Sequence, residues 1–177
     1  MATYTVINEL HAIEFHDSFL EKIEINDNEL HMVFSDAIII GHSRLDIEGR
    51  IPCSANCGED RYACPELDVI IKDFTLLSVL RGGCWTQDAA GNTIEKYPPR
   101  NLSPEEYDEF LTMVLTEQGN QVYGLNYNAE SMIYTLCFFM NEDANYYEME
   151  FSTKTTIAEF EEFGEEAWYL DSKWKKH

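Results

Sequence analysis

Residues 132–151, MIYTLCFFMNEDANYYEMEF, contain two apolar segments that decide the fold. The first segment, 132–140, is apolar at odd and even positions alike, a pattern typical of a strand that is buried on both faces. In the second segment apolar and acidic residues alternate: Tyr147, Glu148, Met149, Glu150 and Phe151. This alternation predicts a strand with one face in the core, and the short link between the segments predicts an antiparallel pair.

Related patterns predict most of the other strands. They are expected over residues 19–25, 30–34, 37–51, 67–71, 74–80 and 123–127. The segment 37–51 reads as one long strand with a single apolar face. Ser35 and Asp36 are interpreted as a two-residue hairpin loop, which would pair Phe34 with Ala37.

One amphipathic helix is expected over residues 104–118. Ser103 and Glu106 form a capping box, and Pro104 suits the first turn. Apolar residues follow at helical spacing, namely Tyr107, Phe110, Leu111, Val114 and Leu115. Gly119 ends the helix, because glycine readily takes the left-handed conformation that follows a helix. The stripe predicts that the helix packs its apolar side on the sheet.

A second capping-box pattern, formed by Thr156 and Glu159, lies near the end of the sequence. It predicts a short, acidic C-terminal helix whose apolar side carries Ile157, Phe160 and Phe163.

The fold class expected from these elements is α+β, with residues 1–177 as a single domain. A curved antiparallel sheet of about eight strands would carry the amphipathic helix and the short C-terminal helix. An all-β sandwich with a decorating helix is the alternative.

Charge is the most distinctive feature of the composition. Thirty-three Asp and Glu residues against twelve Lys and Arg residues give a net charge of −21. This charge repels nucleic-acid phosphates and anionic membranes, and it attracts basic partners over about a Debye length. No window approaches the roughly 20 apolar residues that a membrane helix needs. We therefore expect neither direct binding to nucleic acid nor insertion into a membrane.

The start of the chain and the cysteine count indicate a cytoplasmic location. Residues 1–5 contain no basic segment and no apolar run of the kind that a secretory signal needs. The number of cysteines, five, is odd, and thiols stay free in a reducing cytosol.

Cys53, Cys57 and Cys64 lie in a loop of small residues and are candidate metal ligands, with Cys84 as a fourth. Thiolates are good zinc ligands, but the usual zinc knuckles need two pairs of closely spaced ligands, a pattern from which this spacing departs. A loop with free thiols is the alternative. Apart from zinc, no cofactor is expected, because the glycines match no phosphate-binding loop.

His16, Asp17 and Ser18 have the residue types of a hydrolytic triad. Adjacent residues cannot converge on one substrate atom as a triad must, so this segment is interpreted as a turn with local backbone hydrogen bonds.

A second histidine group depends on the hairpin at Ser35 and Asp36. That hairpin would place Glu29 opposite His42 and His31 diagonal to it, so that the three side chains could hold a metal or move a proton. The alternative is a polar outer face of the sheet.

Four tyrosines on the C-terminal strands could line a pocket within a curved sheet: Tyr123, Tyr127, Tyr134 and Tyr147. Seven glutamates could instead form one acidic, partner-binding surface: Glu148, Glu150, Glu159, Glu161, Glu162, Glu165 and Glu166. The last five lie within eight residues and repel one another, a cost that suggests a use. A merely solvated face is the alternative.

The segments FHDSFLEKI (15–23) and ELHMVF (29–34) resemble the opening of several small bacterial families. In those families a His-Asp-small turn precedes a hairpin of alternating strands. Most of the families are uncharacterised, and some belong to the immunity proteins of toxin systems. The resemblance covers residues 15–34 and implies a β-rich, immunity-like domain, without assigning a role to any residue.

The charge and the lack of a catalytic motif favour a non-enzymatic binding protein of the immunity or inhibitor type, which engages a basic protein partner through an acidic surface. One alternative is a small-molecule-binding protein or enzyme with the tyrosine-lined pocket. Another is a zinc-binding protein that uses the loop from Cys53 to Cys64. A deep pocket would favour the tyrosine alternative, and a closed core with a flat acidic face would favour the inhibitor.

Overall fold

The computed structural model describes residues 4–40, 61–116, 119–140 and 145–161. Its helical elements are two 3-10 turns, Leu10–Ala12 and Pro104–Glu106, and one α-helix, α1, over Tyr107–Thr116. The strands are β1 (Tyr4–Ile7), β2 (Ile13–Glu14), β3 (Phe19–Asn26), β4 (Glu29–Ser35), β5 (Ala37–Ile40), β6 (Arg61–Cys64), β7 (Leu67–Lys72), β8 (Thr75–Arg81), β9 (Cys84–Gln87), β10 (Thr93–Tyr97), β11 (Arg100–Asn101), β12 (Asn120–Asn128), β13 (Ile133–Met140), β14 (Asn145–Ser152) and β15 (Thr155–Phe160).

Ten strands form one antiparallel sheet in the order β1-β15-β7-β4-β3-β12-β13-β14-β8-β11. We call β1, β15, β7, β4 and β3 the first half of this sheet, and β12, β13, β14, β8 and β11 the second half. A separate three-stranded sheet contains β2, β5 and β6, and β9 pairs with β10. The expectation of an antiparallel sheet with one main helix is confirmed, but about eight strands was too low a count.

The two segments within 132–151 form neighbouring strands in the second half. β13 lies between β12 and β14 and buries three consecutive residues, Leu136, Cys137 and Phe138, so both of its faces are covered. β14 is buried at every second position. In the first half the same alternation places six side chains in the core with no exposed surface: Leu30, Met32, Phe34, Leu67, Val69 and Ile71.

Helix α1 begins as the sequence predicts. Ser103 and Glu106 form the capping box, and Phe110 and Val114 are buried on the side that faces the sheet. Leu115 is an exception to the predicted stripe, because 41% of it is exposed. Gly119 has a φ of +68°, as its expected role after the helix requires. Among the residues that the structure describes, no helix has the length and apolarity needed to span a membrane.

The predicted C-terminal helix at Thr156 is wrong, because this segment is strand β15. Thr156, Ala158 and Phe160 are buried, and the residues between them are partly exposed, which is the period of a strand. β15 pairs with β7 on one side and with β1 on the other. Two full ladders of backbone hydrogen bonds outweigh the local capping pattern. Phe163 lies outside the described residues.

The predicted hairpin at Ser35 and Asp36 is also wrong. β4 is paired on both sides, by β3 and by β7, so neither of its edges is left for β5 in the folded sheet. Asp36 takes a φ of +60°, and β5 then enters the three-stranded sheet, where Ala37 pairs with β6. The rest of the predicted strand, 41–51, lies outside the described residues.

Candidate functional site

A cleft lies beside β12, near the short junction at which β3 and β12 join the two halves of the main sheet. The strands pair only where Asn120 meets Leu20 and Gln121 meets Phe19. Beyond this point a cleft of about 420 Å³ opens beside β12, and we call it the β12 cleft. One wall carries Leu10, His11, Ile13, Glu14, Phe15 and His16, and the other carries Tyr123, Gly124, Leu125, Asn126, Tyr127 and Tyr134.

The turn at His16, Asp17 and Ser18 fastens the first wall to β12. Asp17 has a φ of +65°, and the Ser18 hydroxyl donates a hydrogen bond of 2.6 Å to the Phe15 carbonyl. The backbone N–H of Asp17 donates to the Val122 carbonyl at 3.1 Å, and the N–H of Val122 donates to the Ser18 carbonyl at 2.8 Å. The interpretation of this segment as a turn is confirmed, and the turn defines one end of the cleft.

The second wall contains an aromatic row that runs from solvent into the core. Tyr127 is 43% exposed and lies 4.6 Å from the ring of Tyr134, which is 8% exposed. Tyr134 stacks on the buried ring of Phe151 at 5.7 Å, and Phe74 contacts Phe151 in turn at 5.6 Å. Burial raises the pKa of the Tyr134 phenol, which therefore stays protonated at neutral pH. The exposed ring of Tyr127 is therefore held in place by rings that are themselves packed in the core.

Three of the four predicted pocket tyrosines line the β12 cleft. Tyr147 is the exception, because it is buried against Phe110 at 5.2 Å and Phe138 at 6.0 Å. The alternation of Tyr147 with the glutamates of β14 correctly predicted an inward-facing side chain. At this point, however, α1 packs on the sheet and leaves no space for a pocket. The cleft therefore lies at β12 and β13 and does not extend to β14.

The first wall adds polar groups from His11 and Glu14, which sequence analysis did not single out, and from His16, which it interpreted only as part of a turn. His11, Glu14 and His16 add two imidazoles and a carboxylate to the phenols. The His16 Nδ1 atom lies 2.9 Å from an Asp17 carboxylate oxygen, which brings a second acid to this wall. Phenol rings beside carboxylates form a surface that suits cationic ligands. Only the tyrosine alternation gave a local signal of the site.

The seven predicted glutamates do not form one continuous described surface. Glu148 and Glu150 lie on β14, which is eighth in the sheet order, and Glu159 lies on β15, which is second. Each accepts a hydrogen bond from a neighbour: Glu148 from Tyr146, Glu150 from Ser78 and Glu159 from Thr5. Glu161 is exposed, and Glu162, Glu165 and Glu166 lie outside the described residues.

The predicted zinc ligands can be followed only in part. Cys64 is buried, and its thiol donates to the Glu66 carbonyl at 3.0 Å. Cys53 and Cys57 lie outside the described residues, as does the side chain of Cys84. Within the described ranges, no three His, Cys, Asp or Glu side chains are grouped as metal ligands.

His31 has partners other than those expected from the hairpin. Its Nε2 atom lies 2.9 Å from an Asp68 carboxylate oxygen, and its Nδ1 atom lies 4.0 Å from Glu24. These contacts follow from the pairing of β4 with β3 and β7. They place His31 in an ionic row on the outer face of the first half, while His42 lies outside the described residues.

Comparisons with protein-family models, with curated proteins and with solved structures found nothing that matches this chain.

Proposed function

We propose that this chain is a non-enzymatic binding protein that engages a basic polypeptide, and that the β12 cleft is where it does so. The observation that carries the proposal is the composition of the cleft. Exposed phenol rings, a carboxylate and a strand edge meet in one concave site on a chain with a net charge of −21. The immunity or inhibitor type of function remains part of this proposal.

The chemistry of the cleft suits lysine and arginine side chains. A cation over the face of a tyrosine gains about 0.5–1 kcal/mol at an exposed site and about 2 kcal/mol when it is desolvated. Tyr127 and Tyr123 offer such faces, and Glu14 lies on the opposite wall. The net charge adds a long-range attraction that raises the rate of encounter with a basic partner and weakens as salt is added.

The cleft is a better binding site than the dispersed glutamates. Exposed ion pairs contribute little to affinity, about 0–1 kcal/mol each. Binding energy is concentrated instead where aromatic anchors are shielded from water. The Tyr127 ring is 43% exposed and rests on Tyr134 and, through it, on the core, so a bound ligand would cover an aromatic anchor that is already held in place. The glutamates then act on the rate of association, and the cleft determines which partner stays bound.

A small molecule is the second candidate ligand. The cleft volume of about 420 Å³ falls within the range of roughly 300–1,000 Å³ that is usual for small-molecule sites. In that case the buried phenol of Tyr134 and the amide of Asn126 would orient the ligand.

The test is a selection of short random peptides on the immobilised protein, followed by measurement of their affinities. We expect the recovered peptides to be rich in lysine and arginine. Tyr127→Ala should weaken their binding about tenfold, because it removes a cation–π contact and its packing. Glu14→Gln should also weaken the binding of these peptides. Tyr97→Ala is the matched control, since Tyr97 is a similarly exposed tyrosine on β10 and should bind as the wild type does.

A quadruple change of Glu161, Glu162, Glu165 and Glu166 to Gln separates the effect of the glutamates on the rate of association from the effect of the cleft on how long the partner stays bound. It should slow association at low salt and leave dissociation nearly unchanged. Recovered peptides without an excess of basic residues, or equal binding by the Tyr127 and Tyr97 variants, would contradict the proposal. A neutral compound that raises the melting temperature of the wild type but not of Tyr127→Ala would support the small-molecule candidate instead.

A further inference from the structure

We infer that the bound polypeptide adds a β-strand to the free edge of β12, between Tyr123 and Asn128; this inference rests on the proposed function of the β12 cleft. β12 pairs with β13 along almost its whole length. On its other side it pairs with β3 only at Asn120 and Gln121, and the turn before β3 binds Val122. The six residues from Tyr123 to Asn128 therefore have a neighbouring strand on one side only, among the residues that the structure describes.

The geometry of an antiparallel strand makes this edge a template for another strand. Alternate residues of β12 turn their N–H and C=O groups away from β13 and toward the cleft. Six residues of an extended strand span about 20 Å, which accommodates a segment of five or six residues. The register shift between Val122 and Gly124 lies where β12 leaves β3, and a bulge of this kind bends a strand away from its neighbour.

The edge lacks the features that usually protect a free strand. Proteins commonly block such edges with lysine, proline or inward-pointing charges. The sequence from Tyr123 to Asn128, YGLNYN, contains no charged residue and no proline. At Gly124 the strand carries no side chain, and a Cβ atom added there would be in ordinary contact with the Asn126 side chain at 3.5 Å. The edge from Tyr123 to Asn128 therefore carries neither a charge nor a proline that would repel or block an incoming strand.

The two kinds of contact divide the work of recognition. Backbone hydrogen bonds to β12 hold any extended segment, whereas side-chain contacts choose among segments. Successive side chains of an added strand point to opposite faces. Every second residue of the ligand therefore faces the walls of the cleft, where Tyr127 and Glu14 favour lysine or arginine. The expected ligand carries basic residues two positions apart.

The net charge distinguishes a basic partner from a second copy of this chain. Pairing two β12 edges would bring together two proteins that each carry a charge of −21. The repulsion opposes this pairing at physiological salt, where the Debye length is about 8 Å. A segment of a basic protein experiences the opposite force. The occupant is thus an extended basic segment of a different protein.

The test uses the peptides selected on the immobilised protein, each resynthesised with a single backbone N-methyl group at successive positions. N-methylation removes one hydrogen-bond donor and blocks close approach of the strands. Strand addition predicts that affinity falls about tenfold at every second position and changes little between these positions. Binding should also slow amide hydrogen exchange within residues 123–128, while β1, the edge strand at the far side of the sheet, serves as the internal control.

The outcomes separate this inference from the proposed function. If basic peptides bind in a Tyr127-dependent way but N-methyl sensitivity shows no alternation, strand addition is overturned and the binding function stands. Unchanged hydrogen exchange within residues 123–128 also overturns strand addition. If no basic peptide binds, both proposals fail.

Discussion

Replacing Phe110 by alanine tests the placement of α1 on the sheet. Phe110 is 2% exposed, and its ring lies 5.2 Å from Tyr147 and 6.4 Å from Phe138. Removing a buried phenylalanine side chain usually costs about 3–5 kcal/mol. Two aromatic contacts, worth about 0.5–1.5 kcal/mol each beyond the buried area, place this variant toward the upper end of that range.

Urea unfolding followed by circular dichroism measures the loss, with the m-value expected to stay unchanged. Domains of this kind are stable by about 5–15 kcal/mol, so Phe110→Leu provides a milder variant if Phe110→Ala does not fold. Leu115→Ala is the control on the same helix, because its partly exposed side chain should contribute less than about 1 kcal/mol. Equal losses for Phe110→Ala and Leu115→Ala would show that α1 does not pack as described.

Two further predictions concern acid stability and thiol reactivity. Hydrogen bonds from the Arg100 guanidinium and from a backbone N–H hold the pKa of Glu106 at about 2, below its usual 4.5. The ion pair therefore stabilises the fold fully at pH values above the usual pKa of 4.5, and this stabilisation is lost as the pH falls through about 2. Glu106→Gln should flatten the dependence of the unfolding free energy on pH between about 5 and 2. An unchanged slope, measured by urea unfolding at each pH, would count against the ion pair. Cys64 and Cys137 are buried, and burial raises the pKa of the Cys137 thiol. Iodoacetamide should label both slowly in the native protein and fully after unfolding, as read by mass spectrometry, and rapid native labelling of either would refute their burial.

Elements with a strong local pattern were predicted well. The alternation in β14 and the capping box of α1 depend on neighbours in sequence, so they can be read without knowledge of the sheet. Thr156 and Glu159 show the limit of such patterns, since they have the same capping spacing as Ser103 and Glu106. The buried positions of β15 include a threonine and an alanine, whose weak hydrophobicity hid the alternation. What made this segment a strand was its pairing with β1 and β7, and no local pattern reports that.

The candidate site was predicted only on one wall. Tyr123 and Tyr127 stand out because they alternate on a short strand, whereas His11 and Glu14 lie in an unremarkable segment more than a hundred residues earlier. They meet because β3 and β12 pair over two positions and then part, a consequence of the register of the whole sheet. The same dependence on register explains why the predicted hairpin at Ser35 and Asp36 was wrong.

The position of β15 between β1 and β7 has a consequence for biosynthesis. Thr5 and Glu159 bond to each other across a separation of 154 positions. At a translation rate of about 5–20 residues per second, a ribosome needs about 8–30 s to make the chain between them. Until β15 is made, the nascent first half has β7 paired on one side only, with β4, and β1 without any strand to join. The strand pairing of this half is therefore completed only when the segment 155–160 emerges from the ribosome. A chain arrested before that point would expose unpaired, apolar strands to the quality-control machinery of the cell.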